Sequence, residues 1–255
     1  MDNNSIKYKL MKSFWANVER FKHAFSRQSE IFLSLKNKYE NKKCFIVATG
    51  PSLTLEDLDL IKGQYSFSVN SSINAFDNTT WRPTFYVLTD TLAYAKFSDR
   101  VDGIEEIEKV FYPVWMDSRK SDKYIHFIND RYQILHAQAI NRYRGTIYPS
   151  KKPEKYIEDA PSVIFSSIQI AIFMGFKEIY LLGQDCNYKC SQQHSKIADL
   201  GFTCVADYST GDRMIDVFYN YAEAIKDTDV KIFNCTRGGL LEAFERVPLE
   251  EAIKR

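Results

Sequence analysis

The chain has 255 residues, of which 45% are hydrophobic and 26% are charged, and its formal net charge is +1. A chain of this length and composition can bury a full core, which excludes a disordered or fibrous protein. The small net charge excludes the basic field that non-specific nucleic-acid binding needs, so we expect no nucleic-acid partner.

The cysteines and the N-terminal residues both indicate in which cellular compartment the protein works. Five cysteines are scattered without the paired spacing of a small disulfide-rich secreted domain. Charged residues interrupt the N-terminal region, so it holds no apolar run for a signal peptide or a membrane span. We therefore expect a cytoplasmic protein.

Residues 1–40 predict an amphipathic helical extension, because large apolar residues recur there at helical spacing. Through Lys38 this segment carries eight basic and three acidic residues. That excess is compatible with peripheral contact with the anionic inner face of a membrane. The alternative is a helix that packs on the domain, or on a second subunit in a homo-oligomer. The apolar positions are Leu10, Phe14, Val18, Phe21 and Phe25.

Residues 41–255 predict one Rossmann-like nucleotide-binding domain of the α/β class. Short apolar runs alternate with helical patterns, which is typical of a doubly wound, mainly parallel sheet in a three-layer sandwich. The aromatic-rich middle, residues 110–150, shows no regular pattern. The predicted strands are 44–48, 65–69, 84–88, 178–182 and 230–233, and the clearest helices are 162–174 and 212–226.

Small polar residues follow each predicted strand, and parallel strands gather their carboxyl ends at the edge where ligands bind. In the first of these turns, the missing Cβ of Gly50 would admit a phosphate, and Ser52 would donate to it and cap the next helix. With Ser162 at the start of a helix, the predicted substrate-binding residues are Thr49, Gly50, Pro51, Ser52, Asn70, Ser71, Ser72, Asp90, Ser162, Gly183, Asn234 and Thr236.

Four segments carry a family resemblance. Residues 46–53, which include Gly50-Pro51-Ser52-Leu53, resemble the Gly-x-Gly-Pro-Ser-Leu motif of bacterial lipooligosaccharide sialyltransferases and of the 6-hydroxymethylpterin diphosphokinase-like domain family. Ala48 stands where that motif has its first glycine. The resemblance is strongest to the diphosphokinase-like proteins of polysaccharide gene clusters. The other similar segments are 69–72, 174–185 and 233–242.

This resemblance implies a glycosyltransferase that uses a nucleotide-activated sugar, with a CMP-activated acidic sugar as the donor. A glycan or glycolipid is the implied acceptor, and neither a cofactor nor a metal is expected. His194 is the predicted general base, because it follows the Gly183-Gln184-Asp185 strand end on a loop and because the unperturbed pKa of a histidine suits proton transfer near neutral pH. Tyr188 is the predicted phosphate contact, and Asp185 completes the predicted catalytic set.

Two other functions fit the same scaffold, since a fold alone does not decide the chemistry. An ATP-dependent pyrophosphoryl transferase would need Mg²⁺, which Asp90 and Asp185 could hold. Its triphosphate would need cations, and the available run is Lys151, Lys152 and Lys155. A non-catalytic nucleotide-sugar-binding protein is the second alternative, because Ala48 departs from the motif.

A zinc site is a further hypothesis for the loop after the 178–182 strand. Cys186, Cys190 and His194 recur every fourth residue, and Cys204 would be a fourth ligand. Familiar structural zinc sites use tighter Cys-x-x-Cys pairs, and buried cysteines also serve as small apolar fillers.

Overall fold

The computed structural model is a seven-stranded sheet between two layers of helices. It describes residues 26–114, 116, 119, 121–128, 147–188, 195–198 and 209–255. The strands are β1 Lys43–Val47, β2 Ser66–Val69, β3 Phe85–Val87, β4 Lys109–Pro113, β5 Tyr124–Phe127, β6 Glu178–Leu182 and β7 Lys231–Asn234. The helices are α1 Arg27–Ser34, α2 Leu55–Leu60, α3 Thr91–Asp102, α4 Val163–Phe173, α5 Ser209–Ile225 and α6 Leu249–Ala252, with 3₁₀ turns at Asn70–Asp77 and Lys196–Ala198.

All neighbouring strands are parallel, in the order β5-β4-β3-β2-β1-β6-β7. The chain winds outward from β1 to β5 and then returns to β6 on the other side of β1. This order confirms the predicted doubly wound α/β fold. The predicted strands lie close to the observed ones, but β4 and β5 fall in the middle region where no strand was predicted.

Successive side chains along each strand point to opposite faces of the sheet and therefore enter two different cores. In β1, Cys44 and Ile46 belong to the core under α1, α4 and α5, whereas Phe45 and Val47 belong to the core under α2, α3 and α6. Because both faces are covered, most strand residues are apolar, and the polar residues Ser66 and Ser68 of β2 are buried as well.

The described part of the predicted N-terminal extension packs on the first of these cores. Phe32 of α1 is buried and stacks on Phe173 of α4, with ring centroids 4.6 Å apart. Residues 1–25, with the apolar stripe predicted there, lie outside the described residues. Among the helices that the structure describes, none combines the length and apolar character needed to cross a bilayer.

Gln169 joins α4 to the segment that precedes it. Its buried amide oxygen accepts the backbone N–H groups of Ser150 and Glu158, each at 2.9 Å. Its amide nitrogen donates to the carbonyls of Glu158 and Phe165 at 3.0 and 3.1 Å. One side chain therefore fixes the approach of the chain to the start of α4.

Replacing Gln169 by Leu keeps the size of the side chain but leaves the partly buried backbone N–H groups of Ser150 and Glu158 without this acceptor. We expect the free energy of unfolding in urea to fall by about 2–4 kcal/mol, because each unmade buried hydrogen bond costs about 1–3 kcal/mol. The control is Ser167→Ala, also buried on α4, whose hydroxyl donates only to the Val163 carbonyl. Equal losses of stability in the two variants would contradict the role of Gln169 in holding the segment before α4.

Candidate functional site

The switch point of the sheet lies between β1 and β6, where the winding direction reverses. In an open parallel sheet, ligands bind outside the carboxyl ends of the strands at this point. The turns that meet there follow β1 at residues 48–54 and β6 at residues 183–188. The site is therefore built from these two turns and from the strand ends on either side.

The turns after β1 and β6 are bonded directly to each other. Ser52 donates its hydroxyl to Asp185 Oδ2 at 2.8 Å, and its backbone N–H reaches the same oxygen at 3.3 Å. The N–H of Gly50 donates to the carbonyl of Gly183 at 2.8 Å. The two turns consequently form one bonded unit.

Gly50 is required by this contact. A Cβ at position 50 would lie 2.1 Å from Asp185 Oδ2 and 2.4 Å from the carbonyl oxygen of Gly183. From the sequence, the missing Cβ of Gly50 predicts room for a phosphate. In the structure, the protein's own Asp185 carboxylate occupies that space.

The turn after β1 also uses its donors internally. The N–H groups of Gly50, Ser52 and Leu53 all donate within the protein, and Pro51 has no N–H. The predicted helix cap is also wrong, because Thr54 and not Ser52 caps α2. A phosphate would therefore be held by groups other than this backbone turn.

Asp185 is buried, with 8% of its surface exposed. Burial raises the pKa of its carboxyl above the ordinary value, although the hydrogen bonds from Ser52 act in the opposite direction. The backbone of Asp185 is covered as well, since its carbonyl accepts the N–H of Leu240 at 2.8 Å. Its carboxylate acts here as the acceptor that ties two strand ends together.

At the end of β2, Ser71 and Ser72 are buried and their hydroxyls are occupied. Ser71 donates to the carbonyl of Ala198 at 2.6 Å, and Ser72 accepts the N–H of Val69 at 3.1 Å. Their predicted role as direct substrate ligands stays a prediction. Asn70, the third predicted residue of this turn, is half-buried, and its amide oxygen has no hydrogen-bond partner within the described ranges.

Ser195 is a site residue that the sequence analysis missed. Its N–H donates to the carbonyl of Thr49 and its hydroxyl to the carbonyl of Leu53, both at 2.8 Å. With the bond from Ser71 to Ala198, the short 195–198 segment is tied to the ends of β1 and β2. Only its position directly after His194 marked this serine in the sequence.

At the end of β7, the predicted residues Asn234 and Thr236 are buried and bonded to neighbouring turns. Thr236 Oγ1 accepts the N–H of Gln184 at 2.9 Å, and Asn234 donates its amide to the carbonyl of Leu241 at 2.8 Å. Both side chains therefore position the β6 and β7 turns, and their predicted contact with substrate stays a prediction.

Asp90 and Ser162 serve as helix caps. Asp90 Oδ1 accepts the N–H groups that begin α3, and Ser162 accepts the N–H of Ile164 at the start of α4. Asp90 follows β3, which is separated from β6 by β2 and β1. With strands about 4.8 Å apart, the ends of β3 and β6 are about 14 Å from each other.

An ion pair between Arg237 and Asp57 closes the site on the α2 side. The guanidinium meets both oxygens of the buried carboxylate, at 2.5 and 2.6 Å, and also reaches the Ser52 carbonyl at 3.1 Å. More than half of the Arg237 side chain stays exposed, at 56%. A lone arginine between Thr236 and Gly238 was the only sequence signal for it.

The remaining predicted residues lie on the loop after β6. His194, Cys190 and Cys204 fall outside the described residues. Tyr188 is half-buried against the first core, and Cys186 is buried, which raises its thiol pKa to about 11. Within the described ranges, no three His, Cys, Asp or Glu residues are grouped as a metal site requires.

The raised pKa of Asp185 gives a stability prediction. A carboxyl whose folded-state pKa is raised contributes most to stability below its ordinary value of 3.8, and that contribution is lost as the pH rises through the folded-state pKa. We therefore expect wild type to gain stability relative to Asp185→Asn as the pH falls from neutral to about 3.5. Urea unfolding at both pH values measures the difference.

Asp229→Asn is the matched control for this experiment. A hydrogen bond from Lys177 lowers the pKa of Asp229, so the difference should run in the opposite direction as the pH falls. If the stability difference changed in the same direction for both variants as the pH falls, the hydrogen bonds from Ser52 would outweigh burial in setting the pKa of Asp185.

Two solved structures share the fold. The Maf glycosyltransferase from Magnetospirillum magneticum AMB-1 aligns with a TM-score of 0.52 and 15% identity over 88% of this chain, which spans 38% of that protein's length. The sialyltransferase CstII from Campylobacter jejuni, in complex with a substrate analogue, cytidine-5′-monophosphate, aligns with a TM-score of 0.50 and 14% identity, covering 82% of this chain and 85% of that one. At these identities the likeness concerns the fold.

Sequence comparison identifies the family. No curated protein sequence matches the chain. A family model described as 6-hydroxymethylpterin diphosphokinase MptE-like matches residues 16–191, which is more than half of the 255 residues. The chain therefore belongs to the 6-hydroxymethylpterin diphosphokinase MptE-like family.

Proposed function

We propose that the protein is a glycosyltransferase that uses a nucleotide-activated sugar, with a CMP-activated acidic sugar as the leading donor. One observation carries the proposal: polar turns converge at the β1–β6 switch point of a fold that two glycosyltransferases share. The acceptor is a glycan or glycolipid hydroxyl of surface polysaccharide or glycoconjugate synthesis. Peripheral contact of the predicted N-terminal extension with the inner face of the membrane, through the residues before α1, belongs to the same proposal.

The groups near the switch point have distinct roles in this proposal. Asn70 has an amide oxygen to bind the nucleotide, while Ser52 and Asp185 fix the turns around it. Tyr188 is the proposed phosphate contact. Arg237 adds a cation beside the Ser52 carbonyl, although Asp57 balances its charge.

His194 is the proposed general base. The acceptor oxygen attacks the anomeric carbon of the donor, and the bond from that carbon to the phosphate oxygen breaks. The electron pair leaves with the nucleotide, and the hydroxyl proton passes to His194. Support comes from Ser195, the next residue, which is bonded to the Thr49 carbonyl at the end of β1.

ATP-dependent pyrophosphoryl transfer is the second candidate, and the description of the family model favours it. The proposed Mg²⁺ ligands, Asp90 and Asp185, follow strands about 14 Å apart, whereas Mg²⁺ binds oxygen at about 2.0–2.1 Å. Both carboxylates also accept hydrogen bonds from the protein. One ion therefore does not fit this pair, and glycosyl transfer remains the preferred function.

A nucleotide panel separates the candidates. We expect CMP at millimolar concentration to raise the melting temperature more than CDP, UDP or ATP, because binding to the folded state stabilises it by mass action. An increase only with ATP and Mg²⁺ would favour pyrophosphoryl transfer. If none of the four nucleotides changes the melting temperature, the proposed function loses its support.

Replacing His194 by Ala tests the base. We expect kcat to fall by about 10²–10⁴-fold with little change in the Kd of CMP, because a general base acts in the transition state. The assay is hydrolysis and transfer of CMP-activated acidic sugars. The control is His23→Ala, in the predicted N-terminal extension, which should keep the wild-type rate. Wild-type rates in His194→Ala would remove this residue from the mechanism, and binding without turnover in wild type would indicate a non-catalytic protein.

A further inference from the structure

Asn70 has an unusual backbone conformation directly after β2. Its φ of 45° lies in the left-handed region, which asparagine adopts more readily than most side chains. The 3₁₀ turn Asn70–Asp77 begins at this residue. The conformation of Asn70 therefore sets how the chain leaves the carboxyl end of β2.

A buried tyrosine on the neighbouring strand holds this turn. Tyr86 of β3 is fully buried, and its hydroxyl donates to the carbonyl of Asn70 at 2.6 Å. The same oxygen accepts the N–H of Ile73 at 3.1 Å. One hydroxyl thus binds the first and the fourth residue of the turn.

Two serines extend the network. Ser72 donates to the Tyr86 hydroxyl at 3.2 Å, so Ser68 must supply the proton of the bond between the two serines, since each hydroxyl has one proton. The hydrogen bonds then run in one direction from Ser68 to the Asn70 carbonyl. Burial also raises the pKa of Tyr86, which keeps its hydroxyl protonated.

The backbone carbonyl of Asn70 accepts a hydrogen bond from Tyr86, but the side-chain oxygen of the same residue does not have such a bond. Its amide oxygen is shielded from solvent and has no hydrogen-bond partner in the described part of the chain. A buried acceptor without a donor is costly, so native structures seldom keep one. A ligand with an N–H or O–H donor, such as a base amino group or a ribose hydroxyl, would satisfy it.

We propose that Tyr86 is a positioning residue for nucleotide binding: its hydroxyl holds Asn70 in the left-handed conformation, so that the Asn70 amide oxygen accepts a hydrogen bond from the nucleotide. This inference rests on the proposed function. Tyr86 itself is buried under the turn and acts on the ligand only through Asn70.

The first test compares two buried tyrosines by isothermal titration with CMP. Tyr86→Phe should raise the Kd about tenfold, because the loss of a held hydrogen bond weakens ground-state binding. The control is Tyr180→Phe, also fully buried, whose hydroxyl bonds to Glu178 at the start of β6, at the opposite end of the strands. An unchanged Kd in Tyr86→Phe, or equal increases in the two variants, would overturn the proposal.

A double-mutant cycle then tests whether Tyr86 acts through Asn70. In an Asn70→Gly background there is no amide left to position, and glycine tolerates the left-handed conformation. Tyr86→Phe should therefore leave the Kd of the Asn70→Gly variant unchanged within about twofold. An equal increase in both backgrounds would mean that Tyr86 supports the fold in general and does not position Asn70.

A ligand-free crystal structure of Tyr86→Phe separates this proposal from the proposed function. Asn70 should leave the left-handed region when the hydroxyl is lost, and a φ still near 45° would overturn the positioning role. That result does not depend on nucleotide binding, so it shows whether Tyr86 holds Asn70 even where wild-type protein binds no nucleotide and the proposed function fails. If Tyr86→Phe does not fold, Tyr86→Met removes the same hydroxyl with a more adaptable apolar side chain, and the same two outcomes apply.

Discussion

The candidate site depends on one short contact, the hydrogen bonds from Ser52 to the buried carboxylate of Asp185. It joins the turns after two strands that are neighbours in the sheet but far apart in the sequence. Gly50 has no side chain because that carboxylate fills the space where its Cβ would be. The position of the 195–198 segment follows in turn, since Ser195 is bonded to the turn after β1.

The polar residues at the strand ends have mostly internal roles. Thr236 and Asn234 connect turns, Ser71 holds the 195–198 segment, and Asp90 begins a helix. A parallel sheet ends in tight turns whose backbone groups need partners, and small polar side chains supply them. Such residues mark the edge of the sheet where a ligand would bind, and their internal hydrogen bonds shape that edge. Asn70 is different because its side-chain oxygen has no such internal partner in the described part of the chain.

The architecture was predictable from sequence because buried parallel strands appear as short apolar runs. Strands β4 and β5 were missed because both lie in an aromatic-rich stretch, and His126 interrupts the second of them although it is buried there. The edge with the site was also predictable, from Gly50 and Asp185. Contacts between distant residues were not, such as Arg237 with Asp57, since a one-dimensional pattern does not show which turns meet.

The strand order also has a consequence for how the chain folds. Strand β1 lies next to β6, and their register pairs Phe45 with Tyr180. During synthesis, β1 to β5 emerge long before β6. The backbone N–H and C=O groups on the β6 side of β1 therefore stay unpaired while the first part of the sheet forms. An unpaired strand edge is a template for association with other chains, and distant parallel pairing is slow. The return of β6 therefore both protects this edge and brings Asp185 to Ser52, so a partly folded chain would lack the candidate site.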